Sequence, residues 1–104
     1  MVVGGNRAGI RYENSPNQAL FEDNWVRGNG KLERRGGIDI RDSQHAIVKN
    51  NVFGDNGDQI GVRATDSGRS DRVNLFDISV TGNDMNGERI VSCGGQVACS
   101  LNTQ

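Results

Sequence analysis

Apolar and polar residues alternate in short runs along this chain, and the runs recur. Gly9-Ile10-Arg11-Tyr12-Glu13-Asn14-Ser15, Gly37-Ile38-Asp39-Ile40-Arg41-Asp42-Ser43 and Gly61-Val62-Arg63-Ala64-Thr65-Asp66-Ser67 share the order Gly, apolar, charged, apolar, polar, Asx, Ser. Period-two alternation over four or five residues predicts a strand with one buried face, so Ile10/Tyr12, Ile38/Ile40 and Val62/Ala64 point inward. A second family of runs follows each first one: Ala19 to Val26, Ala46 to Phe53 and Ile78 to Met85. All three place an Asn, at Asn24, Asn51 and Asn83, two residues before an apolar Val26, Phe53 or Met85. That spacing gives the Asn residues the inward parity of the core positions.

A unit of this length cannot bury its own apolar face, so self-similarity at such a period predicts a stacked array. Neighbouring windings pair in parallel, and inward Asn side chains about 4.8 Å apart can hydrogen-bond one another along the stack. The expected fold is all-β: a parallel β-helix of about three to four coils with an inward Asn24, Asn51, Asn83 ladder. One domain spans 1–104, with a partial coil at 1–8, coils at 9–36, 37–60 and 61–88, and a partial or capping coil at 89–104. Val3-Gly4-Gly5-Asn6 matches the Asn-bearing runs and places the chain's entry part-way through a coil.

Composition agrees with strands and tight turns. Fifteen Gly and one Pro in 104 residues, with abundant Asn and Asp, suit corners that need left-handed backbone. Gly30-Lys31-Leu32-Glu33-Arg34-Arg35 is too short for an independent helix and reads as a charged loop. A formal net charge of −1 supplies no basic field for nucleic acid or an anionic membrane, and no run of residues is long and apolar enough to span a bilayer.

The repeat, with Val48-Lys49-Asn50-Asn51-Val52-Phe53-Gly54-Asp55-Asn56-Gly57 as its most typical stretch, resembles the right-handed parallel β-helix of the pectin-lyase-like superfamily. That superfamily includes polysaccharide lyases, mannuronan epimerases and NosD-type periplasmic proteins. The resemblance covers roughly Val2 to Ile90. It implies a prism of parallel sheets and, for the enzymes among its members, a polysaccharide bound along one sheet face. The Asp-Pro-His-Glu of alginate epimerases is absent from this sequence, as is any lyase or hydrolase signature, so the resemblance supplies fold more than activity.

Candidate chemistry lies on the outward positions. Arg11, Asp39 and Arg63 form one column and Glu13, Arg41 and Thr65 the next. As a ligand face, Arg11, Asp39, Arg41 and Arg63, with outward Trp25 for stacking, suit an acidic polysaccharide, a guanidinium gripping each carboxylate. As a catalytic face, Arg41 or Arg63 is the base of a lyase or uronate epimerase, with Asp39, Asp42 or Asp66 as ligands of a metal ion that neutralises the uronate carboxylate. As a structural face, the same columns are a register-setting salt-bridge ladder of small energetic worth. Asp42 and Asp66 are either a carboxylate pair able to recruit a cation such as Ca²⁺ or corner residues bonding their own backbone. No cofactor is otherwise expected.

His45 is the single histidine, expected at an exposed corner without an orienting partner. Cys93 and Cys99 can close a disulfide over the fading end of the repeat, which favours a location outside the cytoplasm, or stay as free buried thiols. The third coil carries an insertion, Gly68 to Asp77, expected to fold over the outward aliphatic column of Leu20 and Ile47. If it does not, Leu75 and Phe76 offer an association surface. Uncapped coil ends invite a homo-oligomer. Three function classes follow: a carbohydrate-binding β-helix module, alone or within a larger β-helix; a lyase or epimerase; and a self-assembling structural unit.

Overall fold

The computed structural model describes residues 2–3, 8–32, 36–91 and 100–101, the backbone alone at 2–3 and 100–101. Eleven strands are present among them: β1 Val2–Val3, β2 Ile10–Glu13, β3 Ala19–Glu22, β4 Trp25–Arg27, β5 Ile38–Arg41, β6 Ala46–Lys49, β7 Val52–Gly54, β8 Ile60–Thr65, β9 Ser79–Thr81, β10 Arg89–Val91 and β11 Ser100–Leu101. A single 3-10 turn at Gly57–Gln59 is the helical content of the described residues. No helix among the described residues is long and apolar enough to cross a membrane.

Every described strand pairs in parallel with a strand two or three positions along, and the windings β2–β4 and β5–β7 each lay one strand on each of three sheets. The first sheet runs β10-β8-β5-β2, the second β11-β9-β6-β3 and the third β1-β4-β7. The register follows the sequence repeat: Ile10, Ile38 and Val62 align, as do Tyr12, Ile40 and Ala64. The outward columns Arg11, Asp39, Arg63 and Glu13, Arg41, Thr65 fall into the expected alignment. On the second sheet Phe21, Val48 and Val80 stack, and on the third Val26 sits on Phe53.

Alternation puts these apolar residues inside. Val26, Ile38, Ile40, Val48, Phe53, Val62, Ala64 and Val80 are fully buried, and Met85 closes the third face beside them. Burying a side chain of this size stabilises by about 1.5 to 3 kcal/mol, which makes the central windings the stable part of the molecule. Ile10, Tyr12 and Phe21 in the first winding, and Ile90 in the last, are only partly buried against this core.

The insertion takes a path different from the expected one. Leu75 is fully buried and joins the core with Ile78. The segment before it crosses the corner between the first and second sheets: Arg72 Nη1 donates to Glu13 Oε1 at 2.8 Å and Val73 N donates to Asn14 Oδ1 at 3.1 Å. Leu20 and Ile47 therefore stay exposed, at 56% and 43%, because polar side chains at the corner bind the loop before it reaches them. Leu75 is withdrawn from any association surface, while Phe76 remains 49% exposed.

Candidate functional site

The corners are where the chain's polar chemistry concentrates. At one corner Asp23, Asn50 and Gly82 adopt left-handed backbone, and each is followed by an Asn. Asn51 Oδ1 accepts from Asn24 N at 2.9 Å and Asn24 Nδ2 at 3.2 Å; Asn83 Oδ1 accepts from Asn51 N at 2.9 Å and Asn51 Nδ2 at 3.0 Å. Asn51 Nδ2 also donates to Phe21 O, and Asn83 Nδ2 to Val48 O. Each amide oxygen thus satisfies a backbone and a side-chain donor from the preceding winding.

A second column of the same design stands at the next corner, unrecognised from sequence. Left-handed Gly28, Asp55 and Gly87 precede Asn29, Asn56 and Glu88. Asn56 Oδ1 accepts from Asn29 N at 3.0 Å and Asn29 Nδ2 at 3.3 Å. Glu88 stands where a third Asn belongs, its Oε2 and Oε1 accepting from Asn56 N and Asn56 Nδ2 at 2.7 Å each. The signal was a polar residue five positions after each Asn of the first column, hidden because Glu replaces Asn in the last winding.

The carboxylates of the charged face are occupied within the chain. Glu13 bridges Arg72 through Oε1 and Arg11 through Oε2, the latter at 3.0 Å. The Arg72 hydrogen bond, helped by the charges of Arg11, Arg72 and Arg41 and opposed by partial desolvation, holds the Glu13 carboxyl below its ordinary range. Asp39, expected on the outward ligand face, is fully buried. Asp42 is buried and accepts from Ser67 N at 2.7 Å and Ser67 Oγ at 2.9 Å, while Asp66 caps its own turn by accepting from Gly68 N at 3.0 Å. Arg41 Nε lies 3.8 Å from Asp42, and Arg63 is partly buried on the same face. Trp25 is half exposed on the third sheet, away from this face. Cys93 and Cys99, with Glu33 to Arg35 of the charged loop, lie outside the described residues.

A concave site does form on the second sheet. Gln18, Ala19, Leu20, His45, Ile47, Lys49, Asp77 and Ser79 line a groove of about 470 Å³. Its floor is the outward Leu20 and Ile47 stack, and Lys49 at one end is held by Glu22 at 3.2 Å. His45 is oriented after all: its Nδ1 lies 2.8 Å from Asp77 Oδ2, and its ring meets Phe76 edge-on at 6.0 Å. Asp77 and Phe76 come from the insertion, docked through His45 N to Phe76 O at 3.0 Å and Phe76 N to Ser43 O at 3.1 Å. A second polar recess, of about 590 Å³, surrounds Lys31, Asp55, Asp58 and Glu88 at the outer corner of the Asn29 column. Lys31 binds Asp55 there at 2.6 Å and holds its carboxyl below the ordinary range.

Three parallel sheets, each built from strands of successive windings, with amide columns at the corners, define the chain as an all-β repeat protein of β-helix type. It belongs to the NosD family, described as periplasmic copper-binding protein (NosD), whose family model matches residues 1–100. No curated protein and no solved structure matches the chain.

Copper favours imidazole, thiolate and thioether donors. Among the described residues no three His, Cys, Asp or Glu side chains gather to hold a metal. His45 contacts Asp77 through Nδ1, and the Met85 side chain is packed in the core. The described residues do not fit a copper centre, and no chemistry is routed through one.

Proposed function

We propose that the chain is a repeat module of a right-handed parallel β-helix of three to four coils, carried on an inward Asn24–Asn51–Asn83 ladder and working outside the cytoplasm as a binding scaffold. Its ligand is a carbohydrate held in the groove of the second sheet. The observation that carries this reading is the pairing of an exposed aliphatic floor, Leu20 and Ile47, with polar groups at its edge, His45, Asp77, Lys49 and Gln18. A sugar presents the same mixture, with C–H faces for the floor and hydroxyls for the rim. Phe76, edge-on to His45, adds an exposed aromatic face beside the groove.

The charged face supports acidic sugars less well. Arg11 and Arg72 share the Glu13 carboxylate, and Asp39 and Asp42 are buried. The same occupancy argues against lyase or epimerase chemistry, which needs accessible groups to neutralise a uronate carboxylate and abstract its α-proton. Copper binding, which the family's description names, draws on donors other than those of the described residues if this chain takes part in it.

The test is an NMR titration with neutral and uronate oligosaccharides. The expected result is shifts in the Leu20 and Ile47 methyl and His45 ring signals with neutral sugars, and at least a tenfold loss of affinity in Ile47→Lys and Phe76→Ala. No shift with any sugar, or shifts confined to Arg41 and Arg63, overturns the groove.

A further inference from the structure

The groove of the second sheet is built from outward columns that run across three windings in register. Leu20, Ile47 and Ser79 form the floor, and Glu22, Lys49 and Thr81 form one edge. At the other edge, one residue past the bridge from Gln44 to Phe76, His45 stands beside Asp77. The two edges differ in charge.

Lys49 Nζ lies 3.2 Å from Glu22 Oε2, so the cation of its edge is already paired. His45 Nδ1 and Asp77 Oδ2 are 2.8 Å apart, and because a carboxylate only accepts, the proton between them belongs to Nδ1. With the imidazole formally neutral at pH 7, Nε2 is left as an acceptor and the charge of this edge is that of Asp77. Asp77 Oδ1 accepts nothing from the described residues, and the side chain is 60% exposed. This edge thus offers two acceptors, one of them charged, beside an apolar floor. Four residues of extended chain separate His45 from Lys49, about 13 Å at about 3.3 Å each. That exceeds the screening length of about 8 Å at physiological salt, so Lys49 does not cancel Asp77.

A sugar hydroxyl brings such an edge one donor and no charge, whereas an ammonium brings three donors and a full positive charge. A uronate carboxylate brings only acceptors. We infer that the groove selects an amino sugar, its ammonium on Asp77 and His45 Nε2 and its C–H face on Leu20 and Ile47. Half-exposed Phe76, edge-on to His45, adds an aromatic ring for the cation. The inference rests on the carbohydrate reading of the groove and adds the charge of the ligand. A volume of about 470 Å³ lies in the range of small-ligand sites, so a mono- or disaccharide fills it.

The test is an NMR titration of the 104-residue chain at pH 7 with the glucosamine disaccharide and with its di-N-acetylated form, followed through the Leu20 and Ile47 methyl signals. Acetylation removes the charge and two donors while keeping the ring. An ion pair at an exposed edge contributes modestly, so the expected result is about fivefold tighter binding of the free amine. Asp77→Asn should bring the two affinities within about twofold of each other, and 1 M sodium chloride should do the same in the wild type, where no variant has to fold. Equal affinities, or tighter binding of the acetylated sugar, overturn the amino-sugar inference and leave the carbohydrate groove standing. A preference that persists in folded Asp77→Asn or in 1 M salt overturns it as well. Methyl signals that move with neither sugar overturn the carbohydrate reading and this inference together.

Discussion

Glu88 holds Asn56 with both oxygens of its carboxylate, one on the backbone N–H and one on the side-chain amide, at 2.7 Å each. It does with two acceptor atoms what Asn83 does for Asn51 with one. Replacing Glu88 by Gln turns one acceptor into a donor facing a donor, leaving a buried group unsatisfied at a cost of about 1 to 3 kcal/mol. Glu88→Asn restores the arrangement of the neighbouring column, with one oxygen for both donors. Urea unfolding should therefore rank wild type, then Glu88→Asn, then Glu88→Gln.

Asn51 sits at the centre of its column, accepting from Asn24 and donating to Phe21 O in the winding on one side and donating to Asn83 in the winding on the other. Asn51→Ala strands groups in the two neighbouring windings and should cost roughly 2 to 4 kcal/mol by urea unfolding. Asn24→Ala, at a half-exposed position that donates but accepts nothing from a preceding Asn among the described residues, should cost less than half of that.

The clasp of the insertion on Glu13 is pH-sensitive. Because Arg72 lowers the Glu13 carboxyl in the folded chain, its stabilisation is fully present above the ordinary glutamate range and is lost as pH falls through that range toward the depressed value. Limited proteolysis between Gly68 and Asp71 should be slow at pH 7 and accelerate below about pH 4. Arg72→Ala should cleave at the fast rate at both pH values.

Two glycines separate close approach from backbone strain. A Cβ on Gly57 runs into the carbonyl of Gly30, a backbone atom that cannot move aside, and Gly57 N is committed to Asn29 O at 2.7 Å. Gly68 has φ +75° with open space around it, so Ala there meets the left-handed penalty alone. Gly57→Ala should lose about 3 kcal/mol or more and Gly68→Ala about 1 to 2 kcal/mol, read as the difference in urea midpoint.

Parallel pairing was legible because the alternation of Ile10/Tyr12, Ile38/Ile40 and Val62/Ala64 fixes both the inward face and the register. What escaped depended on longer-range geometry. The Asn29, Asn56, Glu88 column was masked by one change of residue type. The partner of His45 lies 32 residues away in an insertion that interrupts the repeat, so no local pattern connects His45 to Asp77. The loop's route was misread because apolar Val73, Leu75 and Phe76 suggested a cover for Leu20 and Ile47. Arg72 and Val73 instead met the acceptors of Glu13 and Asn14, and Leu75 turned into the core. The burial of Asp39, on a strand face whose parity is outward, likewise has no counterpart in the alternation.

The most direct measurement on the stacked module is the hydrogen exchange of the Asn51 side-chain amide, compared with that of exposed Asn17, by NMR. Stacked windings predict Asn51 Nδ2 protons protected at least a hundredfold over those of Asn17, with the protection lost in Asn83→Ala. Exchange of Asn51 as fast as that of Asn17 in the folded protein contradicts the stack and, with it, the groove that the stack builds.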